Sequence, residues 1–383
     1  MFIELIFWIS FGLIVYIYAG YFGVIWLISR FYPEPVYRDV TDLPKISLII
    51  AAYNEEKIIA EKIQNCLSLD YPTECLEILI GSDGSTDKTN EILSKVNDPR
   101  VKISMFQGRH GKNWVLNQLV KESTGDVLVF TDANIMFNKD ALKHLVKPFQ
   151  KETIGGVIGK LSLVVPGEKL DYVPEQSYWS IESKLRTFET RIRTTFGLTG
   201  AIYAIKRSLF CELPADIIVE DDTYIVNSIL RQGYHIVNSE QATAREGIVD
   251  DIFNEMKRRI RICARNLNGI RYFKSLLHPK HGYVAFGLWS HKVLRWIAPF
   301  PLIALFISTL FLTSNPFYLW VLVFELMFII FALIGILLNL LKIKIKLLSY
   351  CAYFLVINTG LLIGFFKFLL RLQKPYWETK SRP

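Results

Sequence analysis

Two apolar ends enclose a charged middle, and that division constrains the fold more than any average does. Residues 2–29 hold one charge, Glu4, and residues 8–29 form an almost unbroken apolar run. At 1.5 Å per residue the segment is long enough to cross a hydrocarbon layer of about 30 Å. It has no basic start, no short apolar core and no small-residue cleavage site, so it reads as a retained anchor and not a signal peptide. Three further apolar stretches lie at 294–312, 317–341 and 347–370. Thr313-Ser314-Asn315-Pro316 closes the first, and Lys342, Lys344 and Lys346 separate the other two. Trp, Tyr and Phe crowd their edges, as at membrane interfaces. The expectation is one N-terminal and three C-terminal membrane spans around a soluble part.

Charge follows the same division. The chain has 44 Lys and Arg against 36 Asp and Glu, a net +8 that invites a nucleic-acid partner. Counted by segment, that premise disappears. Residues 30–251 carry 26 basic and 32 acidic side chains, whereas 252–292 carry nine and one, and 293–383 nine and two. The excess lies where the chain meets the membrane, as expected of lipid headgroup contacts and not of a nucleic-acid surface. Four segments are therefore expected: an anchor at 1–29, a catalytic domain at 30–251, a basic and interfacial stretch at 252–292, and a membrane region at 293–383.

Arg30, Arg38 and Lys45 follow the first span while Glu4 precedes it, which puts residues 30–292 on the cytoplasmic side of the cell membrane. Four full crossings then leave Arg371, Lys374, Lys380 and Arg382 outside, against the same rule. Either the last segment is interfacial or re-entrant, or the rule fails here. Glu325 lies mid-span and needs a partner or a protein-facing position. Cysteines 66, 75, 211, 263 and 351 show no metal-ligand spacing, and a cytoplasmic face keeps them reduced.

The middle reads as an alternating α/β domain. Apolar runs at 44–52, 76–80, 101–106 and 126–131 alternate with helical patterns at 58–67, 89–95 and 114–121. This predicts a parallel, twisted sheet covered on both faces, with ligands gathering at the carboxyl ends of its strands. Three polar motifs fall at those ends: Asn54-Glu55, Asp83-Gly84 and Asp132-Ala133-Asn134. Each has a plain structural reading. Ser82-Asp83-Gly84-Ser85-Thr86-Asp87 is a good turn and helix cap. Asp132-x-Asn134 is common in loops, although it offers two oxygens to a hard cation such as Mg²⁺ or Mn²⁺. Glu220-Asp221-Asp222 suits a helix start, and Lys257-Arg258-Arg259-Ile260-Arg261 suits anionic lipid.

Their joint order carries more than any one of them. Asn54-Glu55, Asp83-Gly84, Gly111-Lys112 with Leu116-Asn117, Asp132-x-Asn134, Gly200-Ala201, Glu220-Asp221, the arginine cluster and Arg295-Trp296-x-x-Pro299 occur in sequence between apolar spans. Over residues 44–300 this resembles the membrane-embedded family 2 glycosyltransferases, the group of cellulose, chitin, hyaluronan and poly-N-acetylglucosamine synthases. The resemblance implies an α/β domain of GT-A type, Rossmann-like and cytoplasmic, flanked by transmembrane helices. It also implies roles. Glu55 and Asp83 would hold the nucleoside of a sugar nucleotide, with Lys112 on its base or phosphate side and Asn117 in the same motif. Asp132 and Asn134 would bind the metal that grips the diphosphate. Gly200-Ala201 would line the acceptor side, and Asp221 of the Glu220-Asp221 pair would be the general base. Two departures stand out: Asn134 replaces Asp in the metal triplet, and Arg258 and Ile262 replace the Gln and Trp of the processive signature.

The chemistry agrees with that pattern. Sugar transfer needs a stabilised leaving diphosphate, which Mg²⁺ or Mn²⁺ with Arg258 and Arg261 would supply, and an activated hydroxyl, which Asp221 would supply. One displacement with one base predicts inversion. Aromatics at 272, 273, 283, 286 and 289 among basic residues predict a site seated against membrane lipid. The acceptor is then a lipid, a lipid-linked sugar or a growing glycan. Polymer export would call for a partner subunit or a second copy. The competing reading is an idle membrane subunit that binds a sugar nucleotide or a partner synthase.

Overall fold

The computed structural model describes residues 1–40, 42–164, 174–197, 199–214, 218–247 and 252–372. Lys374, Lys380 and Arg382 lie outside them.

The chain opens with helix α1 (Phe2–Ser29) and enters the sheet at β1 (Ile46–Ala52). The next elements are α2 (Ile59–Leu67), β2 (Leu76–Asp83), α3 (Thr89–Ser94), β3 (Val101–Phe106), α4 (Lys112–Glu122) and β4 (Val127–Asp132). Every residue of β1 is buried, which is why its sequence is a continuous apolar run and not an alternation. Ile46, Leu48 and Ile50 pack with Ile59 and Ile63 of α2, while Ile49 and Ala51 meet Val115, Leu116 and Leu119 of α4 on the other face. Each such side chain contributes about 1.5–3 kcal/mol by leaving water.

Beyond β4 come β5 (Ile135–Phe137), α5 (Ala141–Val146), β6 (Ile154–Val164), α6 (Pro174–Ile192), β7 (Tyr203–Lys206), α7 (Asp221–Arg231) and β8 (His235–Gly247). The strand order is β3-β2-β1-β4-β7-β6-β8-β5. The parallel arrangement expected of the first four strands holds for them, within a sheet that is mixed as a whole. β3, β2, β1 and β4 run parallel, but β7 is antiparallel to both β4 and β6, and β5 is antiparallel to β8. The turn at Asp132–Asn134 sends β5 to the far edge, and β7 returns beside β4 in the opposite direction. Parallel β1, β2 and β4 still bring three carboxyl ends together: Ala51 faces Asp132, and Ala52 faces Ser82.

The rest is helical: α8 (Ile252–Phe273), α9 (Tyr283–Trp296), α10 (Pro299–Phe311), α11 (Pro316–Leu340) and α12 (Lys346–Leu369). Among the described residues, α1, α11 and α12 are long and apolar enough to cross a membrane. The span expected at 294–312 is different. It is a pair, α9 and α10, bent by 60°, and the break falls at Pro299, whose ring cannot continue the preceding hydrogen-bond ladder. α12 packs along α8, where small residues permit the approach. A Cβ on Gly364 would sit 2.8 Å from the Ile260 carbonyl oxygen and from the Cys263 Cβ, and one on Gly360 would sit 3.0 Å from the Arg259 Cβ.

A buried polar network ties α1 and α9 to the domain. His291 lies between Glu189 (2.6 Å) and Glu182 (2.7 Å) of α6, Tyr21 donates its hydroxyl to Glu189 (2.7 Å), and Arg295 pairs with Glu182 (2.8 Å). Burial works against charge on Glu182, yet His291 and Arg295 hold its carboxyl well below the usual range.

Candidate active site

Lys112 begins α4 at the carboxyl edge of the sheet, and its ammonium lies 2.8 Å from Asp132 and 3.1 Å from Asp221. Asp132 ends β4, and Asp221 is the first residue of α7. Burial alone would lower the lysine, but the two carboxylates raise it above its ordinary value, so it stays charged. Burial pushes the Asp221 carboxyl upward, with Lys112 opposing. Asp222, largely buried and next to Asp221 and Glu220, is pushed up to about 7. Its one oxygen accepts the Thr223 amide (2.6 Å). The other faces Gly200, where a Cβ would stand 3.6 Å away.

These groups share one cavity of about 790 Å³. Glu55, Lys112, Asp132, Asn134, Gly200, Ala201, Glu220, Asp221, Arg258 and Arg261 all line it. Asp83 and Asn117 do not. Both oxygens of fully buried Asp83 accept backbone amides, those of His110 (2.7 Å) and Gly111 (2.9 Å). Asn117 exchanges two hydrogen bonds with the Leu213 backbone (2.7 and 2.8 Å). In this structure these hydrogen bonds tie the two side chains to the walls of the site. Gly84 serves the same loop, at φ +65°, with space for no side chain against the Gly108 carbonyl.

Arg258 also differs from expectation. Its guanidinium pairs with Glu175 and, at 2.7 Å, with Glu255, which also holds Arg259 at 2.7 Å. Arg261 and Arg265 make only long contacts with Glu220, at 3.8 and 3.7 Å, and are the arginines freer to meet an anion. Sequence reading missed several residues. Lys62 is wholly buried under the turn and donates to the Thr131 hydroxyl (3.3 Å) and the Ile135 carbonyl, holding the loop that presents Asp132. Asn266 lines the cavity at 5% exposure, and its amide oxygen has no hydrogen-bond partner among the described residues. A buried carbonyl left unpaired is costly and points to a ligand donor.

The donor set also bears on a divalent cation. Among the described residues no cluster of three acidic, His or Cys ligands is present. Asp132 is 42% exposed to the cavity, and the Asn134 amide nitrogen is spent on Glu246 (2.9 Å), which turns its amide oxygen away from that bond. One carboxylate and one amide oxygen suit a hard cation that takes most of its ligands from a substrate diphosphate.

Residues 47–213 match the family model described as glycosyl transferase family 2. Over those residues the chain is similar to the family 2 glycosyltransferases. A beta-monoglucosyldiacylglycerol synthase from Nostoc sp. is 34% identical over 139 residues, 35% of this chain and 29% of that relative. A poly-beta-1,6-N-acetyl-D-glucosamine synthase from Staphylococcus aureus is 27% identical over 188 residues, 48% of this chain and 45% of its own length. The chain thus matches less than half of either relative. A mannosyltransferase from Pyrobaculum calidifontis, solved with GDP-Man and Mn²⁺, superposes with a TM-score of 0.71 at 21% identity over 94% of this chain and 99% of that one. The shared architecture is the GT-A fold around a mixed sheet.

Proposed function

We propose that the glycosyltransferase domain moves a sugar, with inversion, from a nucleoside diphosphate donor to a hydroxyl of a lipid-linked or polysaccharide acceptor at the cytoplasmic membrane face. One observation carries the reading: Lys112, Asp132 and Asp221 converge within 3.1 Å contacts at the carboxyl edge of the sheet, in a cavity that also holds Glu55 and Asn266. Asp132 and Asn134 would hold Mg²⁺ or Mn²⁺, which when bound neutralises charge on the diphosphate. Lys112, Arg261 and Arg265 add fixed positive charge where the leaving group develops its own. Asp221 takes the proton of the attacking hydroxyl. The new bond forms between that oxygen and the anomeric carbon while the old carbon–oxygen bond breaks, its electron pair leaving with the diphosphate. Asn266 accepts a hydrogen bond from a sugar hydroxyl. Gly200 leaves space beside Asp222 for the incoming group.

The packing of α12 supports a topology as well. α12 runs along α8, which carries Arg258, Arg259, Arg261 and Arg265, so it lies at headgroup level and not across the hydrocarbon. With α1, the bent pair and α11 as crossings, Lys342, Lys344, Lys346 and Arg371 then share the cytoplasmic side with the domain. An idle subunit is disfavoured by the complete set of acids.

The test is donor turnover by the purified full chain across UDP- and GDP-sugars, with Mg²⁺, Mn²⁺ or chelator, followed by product sizing and anomeric assignment. We expect one donor class to be consumed only with metal, giving the inverted product. Absence of turnover with every donor and acceptor would overturn the reading.

A further inference from the structure

The cavity does not end at the acids. Its far wall is Ile17 and Tyr18 of α1, Phe328 of α11, and Phe354, Ile357 and Leu361 of α12. Ile17, Tyr18 and Phe328 belong to helices long and apolar enough to cross a bilayer. A water-soluble glycan gains nothing from an apolar wall of this kind, whereas an alkyl or isoprenoid chain does.

Lys292 of α9 lines the same cavity, and its charge acts on Asp222. Among the described residues it has no ion pair or hydrogen bond. The neighbouring Arg258, Arg259 and Arg295 are each neutralised by a glutamate. A partly buried ammonium with no ion pair among the described residues, in a cavity that also has apolar lining, suits an amphiphile with an anionic head. We propose that the acceptor is a membrane lipid carrying a phosphate beside its accepting hydroxyl. Its chain lies along α1, α11 and α12, its phosphate on Lys292, and its hydroxyl at Asp221. This rests on the transferase reading above and names its acceptor.

The experiment uses the full chain in phosphatidylcholine vesicles with a radiolabelled donor. Four acceptor probes are compared: a polyisoprenyl diphosphate sugar, phosphatidylglycerol, diacylglycerol and a soluble glucan oligomer. We expect label in the organic phase with a phosphate-bearing lipid. We also expect Lys292→Ala to raise the apparent KM for that lipid about tenfold and Lys292→Arg to restore it. A diazirine on the lipid chain should cross-link to peptides containing Phe328 or Ile357, a readout independent of turnover. Transfer only to the glucan, equal use of diacylglycerol, or an unchanged KM in Lys292→Ala would overturn the proposal while leaving the transferase reading intact. No donor consumption with any probe would remove that reading, and the acceptor with it.

Discussion

Lys112→Met removes the one cation that both site carboxylates share. Asp221 is 8% exposed and 3.1 Å from the ammonium. At an effective dielectric near 20 that contact is worth about 5 kcal/mol of attraction before desolvation is charged against it. Breaking a buried pair by deleting one partner typically costs about 3–5 kcal/mol. Asp132 is 42% exposed and stays hydrated without the lysine, so the lower end, about 3 kcal/mol, is expected here. For a domain of this size that is a fall of roughly 6–12 °C in melting temperature. The penalty has a pH signature. Without Lys112, burial holds the folded Asp221 above its unfolded value, so the folded state binds the extra proton. Stability conferred by that proton is present at low pH and lost as pH rises, so the deficit against wild type is small at pH 5 and full at pH 8. Scanning fluorimetry of the full chain in detergent reads both. A variant within 2 °C of wild type at pH 8, or an equal deficit at both pH values, refutes the argument.

Asp222→Asn should act in the opposite direction. The folded carboxyl is raised from 3.8 to about 7, so wild type loses stability as pH climbs through that range. The amide should gain up to about 4 kcal/mol at pH 8 and almost nothing at pH 4, read as a melting shift at pH 8 only. Glu189→Ala strips a partner from Tyr21, Thr195, the Phe196 amide and His291. It should cost about 3–5 kcal/mol and release α1 to proteolysis at its domain end. Gly364→Leu overfills the α8–α12 contact, which should cost about 1–3 kcal/mol and make Lys367 a tryptic site.

The first half of the domain was legible because burial on both faces writes strands β1, β2 and β4 as apolar runs with motifs at their ends. β6, β7 and β8 were not read: their pairing is antiparallel or distant in sequence, and β6 is interrupted by Gly155, Gly156 and Gly159. Asp132 at a strand end and Asp221 at a helix start announce their charge in the sequence, and both line the cavity. Partners far away in sequence were not legible. Arg258 is neutralised by Glu175, 83 residues away. Asn117 is consumed by Leu213, 96 residues away. Asn266 and Lys292 carry no motif, and only the absence of a partner marks them. At 294–312 the bend of 60° before Pro299 was not legible, because composition records hydrophobicity and not direction.

The most direct test of the central claim compares Asp221→Asn with wild type, measuring donor affinity by calorimetry and transfer rate with the preferred donor, metal and acceptor. The account predicts donor affinity close to wild type and transfer slower by about 10²–10⁴-fold. Turnover within tenfold of wild type would contradict it.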